Sequence, residues 1–496
     1  MLRDWTYHTT YQENIRKELQ LLSDNEKSRL SLFQNRLCKL FLLNLDPLLS
    51  IIKPLYPVFG RPSKNQSEII RSLILMLDCK VYSITAWAQI TAKDNIVRIL
   101  CGFKPDCISG VASYYDFLMR IWLSPNKTRH YIIKSPYHKP RKRYKANQKM
   151  PSKHPGSVSK LVDHVLKGGK LPDFRPEQIL QEFLKVCAVE PSAQLGLLGN
   201  TNALSIAFDG SPFYAGSSRF GVKTCTCRSQ GIFNCDCQRR YSDPDAHWGW
   251  DSYREQYFYG DTLFNVVASD SQYDLPIYIR SVQASRHDSV TTVFALKEVK
   301  ALYSGFRIRN FLADGAMDSY AIYKLLKHHD ILPFIPLDST AKYPKKDLPT
   351  DVIAFTDDGR PVCPRRYAYT YWGRSGNRLK YRCPLAVRDG RRPINWTCSC
   401  HSTSDYGKTI YIKPDDDPRL FPPVPRDTHL FKSTFKRRTS VERANKRIFE
   451  DYKVESYRSR SSRLRFSLAT FAAVNIHLDA WIKHLGILPC DLNLAA

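Results

Sequence analysis

"NFLADGAMDS", residues 310–319, sets the apolar run Phe311-Leu312-Ala313 directly before Asp314 and Gly315. Two structures fit such a stretch. Asp-Gly after a hydrophobic run is a strong hairpin signal. A buried strand can also end on an aspartate that holds a metal ion. The same ending recurs about a hundred residues earlier in "ALSIAFDG" (203–210), where Leu204, Ile206 and Phe208 alternate with Ser205, Ala207 and Asp209. Two further Asp-Gly pairs, Asp358 in "FTDDGRPV" and Asp389 in "LAVRDGRRP", lie between short strand-like runs and read as ordinary hairpins. Asp314 differs, because "DSYAIYKLLKHH" behind it has helical spacing. That order puts Asp314 at the carboxyl edge of a sheet, where α/β sites form. Asp209 is followed by "GSPFYAG", read as a loop without a matched return strand.

Working outward, "REQYFYGDTLFNVVAS" and "LPIYIRSVQA" read as strands. "SVTTVFALKEVKALY" reads as a helix capped by Asp288 or Ser289, and "ILPFIPL" as a last strand. Three strands, a helix, a strand, a helix and a strand make a mixed α/β sheet. Residues 1 to about 130 read as helical: Ile69, Ile70, Leu73, Ile74 and Leu77 recur with helical spacing, and "SYYDFLMRIWL" stops at Ser124-Pro125. Between the two regions lies "HKPRKRYKANQKMPSKHPG", 138–156. Its Lys139, Arg141, Lys142, Arg143, Lys145, Lys149 and Lys153 are unbroken by any acid, as in a basic linker. The expected division is a helical region 1–135, which helices alone leave open between a plain bundle and a DNA-binding domain, a basic linker and helix 136–198, and an α/β domain 199–486 with an insertion at about 338–430.

The charge balance narrows the class. The chain of 496 residues carries 75 Lys and Arg against 47 Asp and Glu, a net charge of +28. That excess points to a polyanionic partner, and nucleic acid is the commonest. The apolar stretches are too short for a membrane span, and the N-terminus lacks the apolar core of a signal peptide. A cytosolic chain with reduced cysteines is therefore expected. No phosphate-binding glycine loop is evident.

Two strand-end aspartates close together repel each other unless a cation lies between them. A third acid would complete a divalent-metal site. "FKRRTSVERANKRIFEDY" (435–452) offers Glu442, beside the stripe Val441, Ala444, Ile448 and Tyr452. The local alternative is a capping box, Thr439-x-x-Glu442, which needs a glutamate for reasons unrelated to chemistry.

"SIAFDGSPFY", "YSDPDAHWGWDSYREQYFYGDTLF", "VQASRHDS", "FLADGAMDSY" and "RRTSVERANKRI" together resemble the DDE transposases of bacterial insertion sequences, over roughly 200–485. "GRPSKNQSEIIRSLILML" and "RILCGFKPD" resemble the helical region preceding that family's catalytic core. The resemblance implies a ribonuclease-H-like mixed sheet with flanking helices and a β-rich insertion. It implies Asp209, Asp314 and Glu442 as catalytic ligands of two Mg²⁺ or Mn²⁺ ions, with Glu442 in an arginine-x-x-x-glutamate signature through Arg438. Arg438, Arg443 and Lys446 join the linker cations as expected DNA contacts. Phe435 stands where many relatives carry tyrosine, and Phe449 where they carry lysine, which weakens the carry-over of contacts to the DNA ends. The implied activity is cleavage at the ends of a DNA element and transfer of its 3′-ends to target DNA. The implied partners are double-stranded DNA, with terminal inverted repeats, and a second copy of the chain in the DNA complex, in a prokaryotic cytoplasm near the nucleoid. A DNA-binding derivative that has lost catalysis, and a hydrolytic nuclease on the same fold, remain open.

The cysteines suggest a second site. "CTCRSQGIFNCDC" places Cys225, Cys227, Cys235 and Cys237 as two Cys-x-Cys arms whose thiols share a face, a pattern suited to structural Zn²⁺. Buried free thiols are the plainer reading. Cys363, Cys383, Cys398, Cys400 and His401 form a looser group in the insertion. His247, Trp248 and Trp250 in "HWGW" could stack on a base or fill a core.

Overall fold

The computed structural model describes the chain except residues 3, 125–131, 135–155, 172–174, 244, 339–347, 349, 388–405 and 489–496. The basic linker cations Lys139, Arg141, Lys142, Arg143, Lys145, Lys149 and Lys153 lie outside the described residues, as do Asp389, Cys398, Cys400 and His401.

Up to residue 121 the regular elements are helices. The central one, α1 (Gln66–Asp78), is buried on all sides from Ile69 to Leu77, an apolar stretch interrupted by the buried Arg71 and Ser72. The sheet begins with β1 (Leu204–Tyr214) and continues through β2 (His247–Asp251), β3 (Gln256–Ala268) and β4 (Leu275–Gln283). Helix α2 (Asp288–Leu302) leads to β5 (Ile308–Leu312), and helix α3 (Tyr320–His328) to β6 (Leu332–Phe334). Strand β3 pairs antiparallel with β1 on one edge and with β2 and then β4 on the other. β5 joins β1 in parallel, and β6 joins β5 in parallel. The result is a six-stranded mixed sheet with helices packed against it.

Both faces of the sheet are covered. Ile206, Phe208 and Phe311 belong to the large core shared with the helices. Ala207, Val267, Leu312 and Phe334 on the other face pack with Val441 and Ala444 of α4 (Thr439–Lys446). Two-sided burial explains why β3 is buried without alternation from Phe258 to Ala268, mostly apolar but with Asp261, Thr262 and Asn265 among its buried residues. The longest helix, α5 (Ser462–Leu485), lies between the sheet and the N-terminal helices and is buried along most of its length. Asn475 Nδ2 donates to the Ile74 carbonyl of α1 at 2.9 Å, and His477 Nε2 donates to the Pro276 carbonyl of β4 at 2.8 Å. One continuous core therefore runs from Tyr11 to Trp481.

Three local expectations change. β1 does not end at Asp209: it continues to Tyr214, because the 13-residue β3 carries the antiparallel ladder on to the pair Tyr214–Gly260. Neither Asp288 nor Ser289 caps α2. The His287 side chain accepts from the Ser289 amide, which leaves Asp288 inside the first turn. Thr439 and Glu442 form no capping box, because the chain is already helical from His429 through Arg438 and presents no free N-terminus at Thr439. The Asp358 hairpin is as expected, with Ala354–Phe355 pairing Pro361–Val362 across Gly359.

Candidate active site

The parallel register brings the first two acids together. Ala207 pairs with Leu312 at the end of β5, so Asp209 and Asp314, each two residues further on, emerge side by side. Asp209 sits in the antiparallel ladder opposite Asn265, on the same face as Ala207 and hence towards α4. Asp314 leaves the sheet and accepts from the Ala316 amide at 3.1 Å, closing a short 3₁₀ turn before α3. That local bond fixes one carboxylate oxygen.

Helix α4 crosses the open side. Glu442 is exposed and ion-paired with Arg438 one turn earlier. One turn later, Asn445 Nδ2 donates to Asp209 Oδ2 at 3.1 Å and to Ser211 Oγ at 2.8 Å, while its Oδ1 accepts from Asn265 Nδ2 at 3.1 Å. Asn265 and Asn445 thus clamp Asp209 from β3 and α4. Sequence reasoning misses Asn445. Its spacing of three from Glu442, which puts both on one helix face, is the available signal.

Asp288 is the other missed residue. It stands in the first turn of α2, half-buried against Gly210: a Cβ added at Gly210 would lie 2.5 Å from Asp288 Oδ1. The glycine after Asp209 therefore marks neither a turn nor a left-handed backbone. It makes room for another carboxylate.

The electrostatics follow from this crowding. Burial, then the Asp288 and Asp314 charges, push the Asp209 carboxyl up to about 7, against the pull of Arg438. Burial, with Asp314 behind it, raises Asp288 to about 6 against the opposing charge of His287. Among the described residues none of the three aspartates has an ion-pair partner. An acid held at such a value is short of positive charge, and hard carboxylate oxygens are the donors that Mg²⁺ and Mn²⁺ prefer. The residues therefore fit divalent cations. They stand more openly than a closed metal cage: among the described residues, Cys225, Cys227, Cys235 and Cys237 are the group of three or more whose ligand atoms all lie within 4.8 Å of one another.

The other expected residues fall in varied surroundings. Arg443 is held by both oxygens of Asp274 at 2.6 Å, which ties α4 to the turn before β4. Lys446 is exposed, 3.9 Å from Glu450. Phe435 stacks on Phe431, and Phe449 meets Phe213 edge-on, so both departures from the family pattern have an apolar role. Trp248 packs with Tyr241, Ala246 and Tyr259, whereas Trp250 is exposed and His247 is partly buried. Cys363 and Cys383 are buried in the core of the insertion.

A family model described as Transposase DDE domain matches residues 203–476. No curated protein sequence matches the chain. Among solved structures, the cryo-EM structure of the piggyBac transposase synaptic complex with hairpin DNA is similar, with a TM-score of 0.34 and 10% identity, over 92% of this chain and 76% of that one. Among the described residues no helix is long and apolar enough to cross a membrane.

Proposed function

This chain belongs to the transposase DDE domain family, and from that premise we propose that it cuts DNA at the ends of a mobile element and joins the 3′-ends to target DNA, using divalent metal ions held by Asp209, Asp314 and Glu442. The observation that carries the reading is the parallel register, which sets Asp209 and Asp314 side by side under the helix bearing Glu442. The order β4-β3-β1-β5-β6, with three antiparallel strands followed by two parallel ones, supports a ribonuclease-H-like core. The net charge of +28 supports a double-stranded DNA partner. The resemblance to insertion-sequence transposases supports a bacterial element, a prokaryotic cytoplasmic setting and a dimer in the DNA complex.

Bound at these carboxylates, Mg²⁺ or Mn²⁺ ions supply activation of water or of a 3′-hydroxyl and stabilisation of the leaving oxygen in an in-line displacement at phosphorus. The chain's own part is positional. Asn445 holds Asp209 Oδ2 and leaves Oδ1 free of side-chain donors among the described residues. Asp288 adds negative charge beside both aspartates and raises the site's demand for cations. Glu442, ion-paired with Arg438, would be the α4 residue to help hold such an ion, and loosening of that pair would free the guanidinium for a DNA phosphate.

The test uses end-labelled element DNA. Asp209→Asn and Asp314→Asn should each abolish Mg²⁺-dependent cleavage and leave end binding largely intact, and Glu442→Gln should do the same. Near-normal cleavage by either aspartate variant would remove that residue from the site. Cleavage by the wild-type protein with no strand-transfer product would favour a hydrolytic nuclease.

A further inference from the structure

Outside the acid site, one segment lacks any apolar interior. Residues 224–238 project between the short strands Val222–Lys223 and Arg239–Tyr241, which pair over two residues. Along this finger every residue is exposed except Cys225, Cys227, Cys235 and Cys237. Its large apolar side chains do not compensate: Ile232 and Phe233 face solvent, as does Phe220 just before it. A hairpin this short, with no core, is marginal in water. What the fold places inside it is four thiols.

Their spacing is informative. Cys225 Sγ lies 3.6 Å from Cys235 Sγ, and Cys227 Sγ lies 3.6 Å from Cys237 Sγ. All four sulfurs lie within 4.8 Å of one another. A tetrahedral ion with bonds of about 2.3 Å to sulfur sets its ligands about 3.8 Å apart. Two disulfides would each need about 2.05 Å within a pair, and would give no reason for the two pairs to meet. An iron–sulfur cluster needs room for bridging sulfide, which four sulfurs this close do not leave. The backbone already supports the arrangement. Gly231 turns the tip at φ 78°, Ile232 N donates to the Cys227 carbonyl at 2.8 Å, and Thr224 Oγ1 donates to the Gln238 carbonyl at 2.9 Å.

We propose that Cys225, Cys227, Cys235 and Cys237 bind one Zn²⁺ ion as a closed tetrathiolate, and that this ion takes the place of a hydrophobic core in the 224–238 finger. Each thiol gives its proton to solvent on binding, so the ion and four thiolates carry a net charge of −2. Lys223, Arg228, Arg239 and Arg240, on the finger and its base, supply compensating charge. The site is closed, with four protein ligands and no open position, so its role is structural and independent of the chemistry at Asp209.

The test needs no DNA and no activity. Full-length protein purified under reducing conditions should retain one zinc per chain after dialysis. Exchange into cobalt should give the visible bands of a tetrahedral thiolate site. Cys225→Ser and Cys235→Ser should each reduce metal to background and abolish those bands, while Cys363→Ser leaves both unchanged. Chelation should open the finger to trypsin at Arg228 and leave the main thermal transition in place, because the finger adds nothing to the shared core. Metal-free protein with four titratable thiols, or mass-spectrometric Cys225–Cys235 and Cys227–Cys237 disulfides, would overturn the proposal. So would zinc or cobalt binding that survives both serine substitutions.

Discussion

A methyl group added at Gly210 would meet the Asp288 carboxylate rather than backbone, so the side chain is what must move. Gly210→Ala is therefore a probe of Asp288 placement. Misplacing a catalytic group by about 1 Å costs roughly 100-fold in rate. Single-turnover cleavage should fall by about that factor, with stability changed by no more than about 1 kcal/mol. A variant that cleaves at the wild-type rate would show that Asp288 does not take part. Asp209→Asn should have the opposite balance. It should remove activity yet raise the melting temperature of the metal-free protein, because a crowded, half-buried carboxylate held near 7 gives way to a neutral amide that still accepts from Asn445. Asp288 is hard to recognise in the sequence for a specific reason. An aspartate at a helix start has a sufficient local explanation as a cap, and only the structure shows that the His287 ring takes the Ser289 amide while Asp288 packs against Gly210 of β1.

At the scale of the element, α4 and α5 do different work. α4 carries Glu442, the proposed third acid, across the sheet, and Asn445 is its link to Asp209. Asn445→Ala should leave Asp209 without its side-chain donor and Asn265 Nδ2 without its acceptor, lowering the cleavage rate more than DNA affinity. Equal losses in rate and in folded fraction, read by circular dichroism, would mean a structural role alone. α5 binds the sheet through a buried triad. Arg465 donates to Asp243 at 2.7 Å and to Asp261 through Nε at 2.9 Å, and Ser462 donates to Asp261 at 2.8 Å. Two carboxylates share one guanidinium, and burial raises Asp261 to about 6 despite Arg465. Arg465→Leu would leave both acids buried without a cation and should cost about 3–5 kcal/mol in urea unfolding. Asp243 and Asp261 belong to "YSDPDAHWGWDSYREQYFYGDTLF", one of the stretches that carries the family resemblance, yet their contacts hold the fold together. Residue type alone could not separate them from Asp209 and Asp314. That distinction rests on which acids have an arginine packed against them.

At the scale of the whole molecule, α5 joins the N-terminal helices to the sheet, and His477 sits at the joint. Nε2 donates to Pro276, Nδ1 accepts from Ser192 at 2.7 Å, and Ser192 Oγ accepts from Trp481 at 2.7 Å. The network is complete only with a neutral ring, and burial lowers the His477 pKa to about 4. Between about 4 and the unfolded value of 6.5 the unfolded chain binds the extra proton, so stability falls as pH falls through this window. The loss reaches roughly 3 kcal/mol. His477→Gln should flatten that part of the profile of unfolding free energy against pH, and an unchanged slope would remove His477 as its source. Asp261, raised rather than lowered, acts in the opposite sense over an overlapping range, so the comparison with wild type is what isolates the histidine. The basic excess is testable by salt. Neutralising the cations from Lys139 to Lys153 should reduce the slope of log DNA affinity against log salt by about 3 units, at about 0.9 for each DNA phosphate those cations had neutralised. An unchanged slope would mean that other cations of the chain bind the phosphates.

Periodicity, Asp-Gly endings and charge, read from the sequence by itself, determined the helical first region, five of the six strands of the sheet in order with the two helices between them, a basic excess suited to a polyanion, and the residues on which the family resemblance rests. Each of these is written in neighbouring residues or in composition. The strand His247–Asp251 escaped that reading. Only the tertiary structure decided that β1 runs past Asp209, that Gly210 makes room for Asp288, that the chain before Thr439 is already helical while Asn445 near the end of α4 holds Asp209, and that Arg443 is engaged by Asp274. It also decided that the four finger thiols converge while the acids at 243 and 261 are neutralised from α5. All of these depend on packing between residues that lie from ten to hundreds of positions apart. A residue's local pattern is the same whether its side chain meets a metal ion, an arginine or water, and only the packing of distant elements settles which.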